Sequence, residues 1–424
     1  MDYSQKMDHL RQELLAVENG ELICNDFQRA LPSLKGTDLY GIFCRIPKGR
    51  LLHAHIEATF DMRYSIRLAL ESGDCYVYLA GKPSDHEYGQ LAYRAWFEGG
   101  TIPEGWTAVS EALKTRPNLE DEIYGLCTSS TDDIDENIWP KFEAIFDRYR
   151  AINNYLPHFK KLYAKVFADM AREGLSGVDF RFIGQSLFDE SGRRLEPDSY
   201  VDTVQEIAAQ VREQYPGFNV RLIYCYYKGV PAETVPERAA YARHLCGKYP
   251  GICLGFDMVG KEDCGKSLEY YRPALEAAKV PVIMHAGETA LQSNRNLETV
   301  AQMGLKRIGH GTNLYMHPAA HKWFKEHGTL MEVCPLSNQL LGYTPDLRKH
   351  PAAGYLREGL NVTINSDDCA IFGTSYLTDD LLAAYLCWNL TTEQLQRAII
   401  NSLEGDGQLI ADFRRQWDEF AKTI

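Results

Sequence analysis

His53 and His55 sit either side of one alanine at the end of a short apolar run, Leu51-Leu52-His53-Ala54-His55. On a β-strand, residues i and i+2 point to the same face, so both imidazoles can converge on one cation. Further chemistry-bearing residues follow other apolar runs: His285-Ala286-Gly287-Glu288, Gly309-His310-Gly311, Cys334-Pro335-Leu336-Ser337-Asn338 and Ser366-Asp367-Asp368. Three imidazoles and one carboxylate, from His53, His55, His285 and Asp367, suit Zn2+ and leave a position for water. A metal so held lowers the pKa of its water toward about 7, making a nucleophile available at neutral pH. Glu288 follows His285 across a glycine and can reach a substrate without binding the metal, as a general acid/base must. His310, between two glycines, can orient the water or hold its proton. Asp368 diverges from its neighbour Asp367 and can point at the substrate. Taken singly, each histidine also reads as a hydrogen-bonded core residue and Glu288 as a helix N-cap; the combination carries the chemistry. Cys334 and Cys369 read as small buried residues rather than nucleophiles.

Catalytic groups at the ends of successive strands point to a (β/α)8 TIM barrel, whose chemistry sits at the C-terminal face. Eight short apolar runs fit its strands: 51–55, 177–183, 219–226, 252–259, 280–285, 307–310, 330–333 and 362–365. Between them lie helical patterns such as 202–215, 237–249, 268–278, 297–303, 319–327 and 351–358. A doubly wound open sheet is the α/β alternative, but no G-x-G-x-x-G follows the first run. Residues 1–47 read as an N-terminal helical arm, 60–175 as a helical insertion or lid after the first strand, and 376–424 as C-terminal helices. No Pro/Gly/Ser-rich linker divides them, so residues 1–424 are expected to form a single domain.

The chain has 424 residues, 45% of them hydrophobic, and a formal net charge of −13. The negative charge argues against nucleic acid or an anionic membrane as partner. No run approaches the roughly 18 apolar residues of a membrane span. The N-terminal stretch has no apolar signal region, so a cytoplasmic location with reduced thiols is expected for the eleven cysteines. None forms a C-x-x-C pair, which excludes the His/Cys/Cys type of zinc deaminase.

Together the strand-end motifs resemble, in order and position, those of the adenosine deaminase family. Pro47-Lys48-Gly49-Arg50-Leu51-Leu52-His53, residues 255–263 and Glu332-Val333-Cys334-Pro335-Leu336-Ser337-Asn338-Gln339 are similar to the adenosine deaminase-related growth factor branch, the adenosine deaminase 2-like type. The resemblance implies a TIM barrel and one Zn2+ per subunit held by His53, His55, His285 and Asp367. It further implies that Glu288 protonates purine N1 and that His310 and Asp367 orient and deprotonate the water attacking C6. Asp368 would hydrogen-bond N7, the Gly260 backbone would meet N3, and Glu57 would bind a ribose hydroxyl. It also implies a homodimer through the N-terminal helices.

Two positions depart from the family pattern. Ile56-Glu57-Ala58-Thr59 stands where an acidic residue close to a glycine is usual, and Cys369 where proline is usual. The expected activity is zinc-dependent deamination of adenosine or a closely related aminopurine nucleoside. The alternatives are deamination of adenine, a modified adenine or another amino-heterocycle, and a non-catalytic nucleoside-binding protein.

Overall fold

A computed structural model describes residues 2–16, 19–135, 138–184 and 186–424. Among these, eight parallel strands build the centre: β1 (Gly49–His55), β2 (Leu175–Phe182), β3 (Asn219–Tyr227), β4 (Cys253–Val259), β5 (Met284–Ala286), β6 (Arg307–His310), β7 (Leu330–Val333) and β8 (Asn361–Ile364). β1 to β4 pair in chain order, as do β5 to β8. Two parallel bridges join the halves into a ring, Phe256 with Val282 and Ala54 with Asp367. At the second seam Asp367 N donates to His53 O at 3.1 Å and His55 N donates to Asp367 O at 3.3 Å. Barrel closure therefore sets Asp367 against the two histidines of β1.

The crossovers are amphipathic helices. Leu268–Ala278 is capped by Ser267, whose hydroxyl accepts from Tyr270 N, and buries Leu268, Tyr271 and Leu275, one stripe at helical spacing. The run at 280–285 yields a shorter strand than its composition suggests. Only Met284–Ala286 is regular, because Pro281 has no N–H to give the ladder.

The segment 60–175 is not wholly helical. Besides its helices it holds an antiparallel sheet of Cys75–Tyr78 flanked by Leu91–Tyr93 and Trp106–Ala108. Its last helix, Leu156–Arg172, is the β1-to-β2 crossover itself and buries Phe159, Leu162, Tyr163, Val166 and Phe167. Helix Ile138–Asn153 lies over the barrel mouth. One hydrophobic cluster runs from Phe27 in the N-terminal helices through Leu51 and Val178 to Trp417 near the C-terminus.

β1 contains a register shift between Leu51 and Ala54. Strict alternation would place Arg50 and His53 on opposite faces, yet both point into the barrel: Arg50 bonds Asp179 and His53 bonds Glu332. The bulge re-aims the strand end, as bulges beside functional sites do. Asn365 Oδ1 takes up the displaced amides, accepting from Leu52 N at 2.9 Å and His53 N at 3.1 Å.

Candidate active site

Each expected metal donor sits where a barrel strand ends. His53 Nε2 lies 3.1 Å from His285 Nε2, and His55 Nε2 lies 3.3 Å from it. Asp367 Oδ1 is 3.3 Å from both His53 Nε2 and His55 Nε2. Tetrahedral donors at about 2.0–2.1 Å from a zinc ion would be roughly 3.3 Å apart. The protonation pattern strengthens the fit. His53 Nδ1 donates to Glu332 Oε2 at 2.9 Å and His285 Nδ1 to Asp257 Oδ2 at 2.7 Å. With the ring protons there, both Nε2 atoms present lone pairs to one another, a repulsion that a cation between them removes. Burial holds His285 down to about 3, so the ring is neutral and able to ligate. His53 passes so close to Gly309 that a Cβ there would lie 2.6 Å from its Cε1.

Beneath the donors runs a layer of buried charge. Arg181, with no exposed side-chain surface, donates to Asp257 Oδ2 at 2.8 Å and Glu332 Oε2 at 2.6 Å. It thereby fixes the two carboxylates that orient His285 and His53. Ser337 Oγ donates to Asp367 Oδ2 at 2.8 Å, leaving Oδ1 toward the imidazoles. Burial alone would raise Glu332, but Arg181 and Arg307 overcome it and hold its carboxyl at about 2.

Glu288 faces this set without touching it. Glu262 accepts from Gly287 N at 2.9 Å and Glu288 N at 2.8 Å, pinning the turn, while Glu288 Oε1 has no hydrogen-bond partner. Burial, then the charges of Asp367 and Glu262, raise its carboxyl far above the usual range, which favours its protonated form. His310 lies with Nδ1 3.7 Å from Glu288 Oε1, both ring nitrogens unpartnered. His310 and Asp367 each adopt φ of 61°, the left-handed region that residues with a Cβ rarely occupy. Asp368 is buried with Oδ1 unpartnered, and burial followed by Asp367 raises its carboxyl.

A cavity of about 440 Å3 opens over these groups, with His55, Glu57, Gly260, Glu288, Asp367 and Asp368 on its wall. Gly260, at φ of 100°, offers bare backbone with no heavy atom within 4 Å of where a Cβ would stand. Helix Ile138–Asn153 roofs the cavity with Trp139, Phe142, Phe146 and Arg150, one face at helical spacing. The structure thus brings the expected site residues together: His55, Glu57, Gly260, His285, Glu288, Asp367 and Asp368 line one cavity, and His53 and His310 pack against His285 behind its wall.

Sequence reasoning assigned no role to Arg181, Asp257, Glu262, Glu332, Ser337 or Lys228, whose ammonium donates to His285 O at 3.1 Å. A signal existed for some of them. Phe180-Arg181-Phe182, Phe256-Asp257-Met258 and Met331-Glu332-Val333 each place one charge inside an apolar strand, which burial makes costly unless it is paired.

Fold and donor set define a (β/α)8 hydrolase built to activate water. A family model described as adenosine deaminase matches residues 120–416. Adenosine deaminase 2 of Dictyostelium discoideum is 29% identical over 381 residues, covering 86% of this chain and 70% of the relative. The Arabidopsis N6-mAMP deaminase superposes with a TM-score of 0.61 at 16% identity, over 89% of this chain and 99% of that one. An amidohydrolase of Burkhoderia ambifaria with bound Zn does so with 0.63 at 17% identity, over 91% and 94%. The chain belongs to the adenosine deaminase family, on its adenosine deaminase 2-like branch. It is a hydrolase acting on C–N bonds in cyclic amidines.

Proposed function

We propose that the protein is a zinc-dependent deaminase converting adenosine, or a closely related aminopurine nucleoside, to the inosine-type product and ammonia. The observation that carries this is Glu288, a buried carboxyl whose Oε1 stands unpartnered beside the metal donors. Hydrolytic deamination of an aromatic amidine needs the ring protonated as water adds, and Glu288 is placed to protonate N1. His53, His55, His285 and Asp367 would hold a zinc ion, which when bound would supply the Lewis acidity that activates water. His310 and Asp367 receive and hold the proton of that water. Asp368, protonated, donates to N7, and the Gly260 backbone meets N3. Arg181, through Asp257 and Glu332, keeps the ligating imidazoles in one tautomer.

A second reading has a specific basis, since the Arabidopsis neighbour is an N6-mAMP deaminase. A phosphorylated substrate needs free cations near the sugar. Of the two cations lining this cavity, Arg150 pairs with Asp147 while its Nε stays unpartnered, and Lys228 donates to His285 O. The carboxyl groups of Glu57, Glu143 and Asp147 on the same wall oppose a phosphate, so the lining favours an uncharged substrate. A protein that only binds nucleosides has no use for a buried proton donor, whose burial costs stability. The test is ammonia release by the zinc-loaded protein from adenine, adenosine, 2′-deoxyadenosine, AMP and their N6-methylated forms, with metal analysis of the same sample. Turnover of the nucleosides is expected. Release of ammonia from none of these compounds overturns the assignment.

A further inference from the structure

Two thiols from opposite ends of the chain meet where the N-terminal helices pack on the barrel. Cys24 lies near the end of helix Asn19–Asn25, and Cys387 is the last residue of helix Thr378–Cys387. Both are buried in the hydrophobic cluster that joins the N-terminal helices to the barrel. Cys387 Sγ reaches the carbonyl of Ile23, the residue before Cys24, at 3.9 Å. The two thiols also hydrogen-bond to each other, and among the described residues no other two cysteines do so.

That bond is unequal. Cys387 is pushed well above the ordinary thiol value, by the bond itself and then by burial. Cys24 is drawn below it, by the same bond and by the Arg348 guanidinium, with burial opposing. A thiol nearer its thiolate beside a second thiol is the arrangement of an attacking and a resolving cysteine. Each stands at or near a helix end; helix ends fray, and opening there admits an oxidant little larger than water.

The pair also sits on the supports of helix Pro335–Leu340. Gln339 Nε2 donates to Cys24 O at 3.0 Å, and Asp380, from the helix of Cys387, accepts from Leu336 N at 3.1 Å. Between those two points Ser337 holds Asp367. A covalent link between the cysteines would tie the N-terminal helices to the element that buttresses this carboxylate.

We propose that Cys24 and Cys387 are a redox-active pair, which a peroxide joins into a disulfide that locks the N-terminal helices onto the barrel. The Cys24 thiolate attacks one peroxide oxygen, the O–O bond breaks, and the departing hydroxide takes up a proton to leave as water. Cys24 is then a sulfenic acid, and the bond that held the proton on Cys387 is gone. The Cys387 sulfur, as it loses that proton, attacks the Cys24 sulfur and forms the S–S bond, while the sulfenic hydroxyl leaves as a second water. The two sulfurs together give up two electrons, and the peroxide receives them.

The test treats the reduced full chain with a graded series of hydrogen peroxide, alkylates the remaining thiols and maps linkages by peptide mass spectrometry without reduction. Exposed Cys44 and Cys264 are expected to oxidise first and gauge the dose. One cross-linked peptide pair, Cys24 with Cys387, is then expected to appear and to vanish on reduction by a dithiol. The link closes most of the chain into one loop, so the melting temperature should rise by about 5 °C or more. Cys24→Ser and Cys387→Ser should show neither change; if both fail to fold, the wild-type map decides. Oxidation of Cys44 and Cys264 while Cys24 and Cys387 both remain open to alkylation on unfolding overturns the proposal. So does conversion of either to a higher acid without a cross-link. A link that forms and leaves the melting temperature unmoved overturns the lock.

Discussion

The floor and the mouth of this barrel bury charge in opposite ways. On the floor, carboxylates are answered by arginines. Asp179 is reached by Arg50 at 2.7 Å, Arg221 at 2.6 Å and Arg307 at 2.8 Å, and Arg307 continues to Glu404 at 3.0 Å. Burial would raise Asp179, yet the three arginines hold it well below the usual carboxylate range. At the mouth, Glu288 Oε1, Asp368 Oδ1 and both nitrogens of His310 have no partner. The cost of burial applies at both ends. The floor offsets it with ion pairs inside the chain, whereas the mouth leaves it to be met by a cation and a substrate. A hollow of about 570 Å3 also opens at the floor, but Arg50 and Arg221 on its wall are already paired. What distinguishes a reactive site from a structural network here is unspent hydrogen-bonding capacity rather than charge density.

Substitutions can break this contrast, and the largest effect is expected at the mouth. Glu288→Gln should keep the fold and the metal but lower kcat by about 10²–10⁴-fold, the usual worth of a general acid. Steady-state kinetics with metal analysis checks it, and near-full activity would remove Glu288 from the chemistry. The converse belongs to the floor. Arg307→Met takes one of three arginines from Asp179 and one of two from Glu332, and should cost up to about 3–5 kcal/mol of stability in urea unfolding, the range for removing one partner from a buried ion pair.

The floor should also respond to acid. The folded-state pKa of Asp179 is depressed, so its contribution is fully present above its unfolded value of about 3.9 and is lost as pH falls below that. Unfolding free energy of the metal-free protein should fall steadily as pH drops below about 3.9 toward the depressed folded-state value. The same titration of Asp179→Asn should be correspondingly flatter; parallel curves would show that the pairing contributes nothing. Between floor and mouth, Asp257→Asn should weaken metal binding by about 10–100-fold, because it releases the tautomer of His285. Competition with a chelator measures this. The smallest change is expected from Tyr149→Phe, whose effect on stability should stay within about 0.5 kcal/mol, since the lost hydroxyl bonds nothing in the protein.

The contrast also shows how far the residues could be read in advance. The strand-end positions of His53, His55, His285, His310 and Asp367 were legible because alternation along a strand is a local rule. The helix over 268–278 was legible for the same kind of reason. The antiparallel sheet inside 60–175 was not, since its strands are only three or four residues long and carry no clear period. The coexistence of Arg50 and His53 on the inner face escaped as well. It depends on a bulge whose displaced amides are taken up by Asn365, some three hundred residues away in the chain.

By itself the sequence determined the chemistry available: which groups can ligate a metal, which can move a proton, and that they follow strands. Those properties belong to residue types and short spacings. The tertiary structure alone decided which buried charges find partners. Arg181 could not be matched to Asp257 and Glu332, nor Tyr149 and Asn153 seen to be left open beside Glu57, before the barrel closed. The physical reason is that the cost of a buried polar group is set by what lies within hydrogen-bond reach of it, and in a closed barrel those neighbours come from strands far apart in the chain.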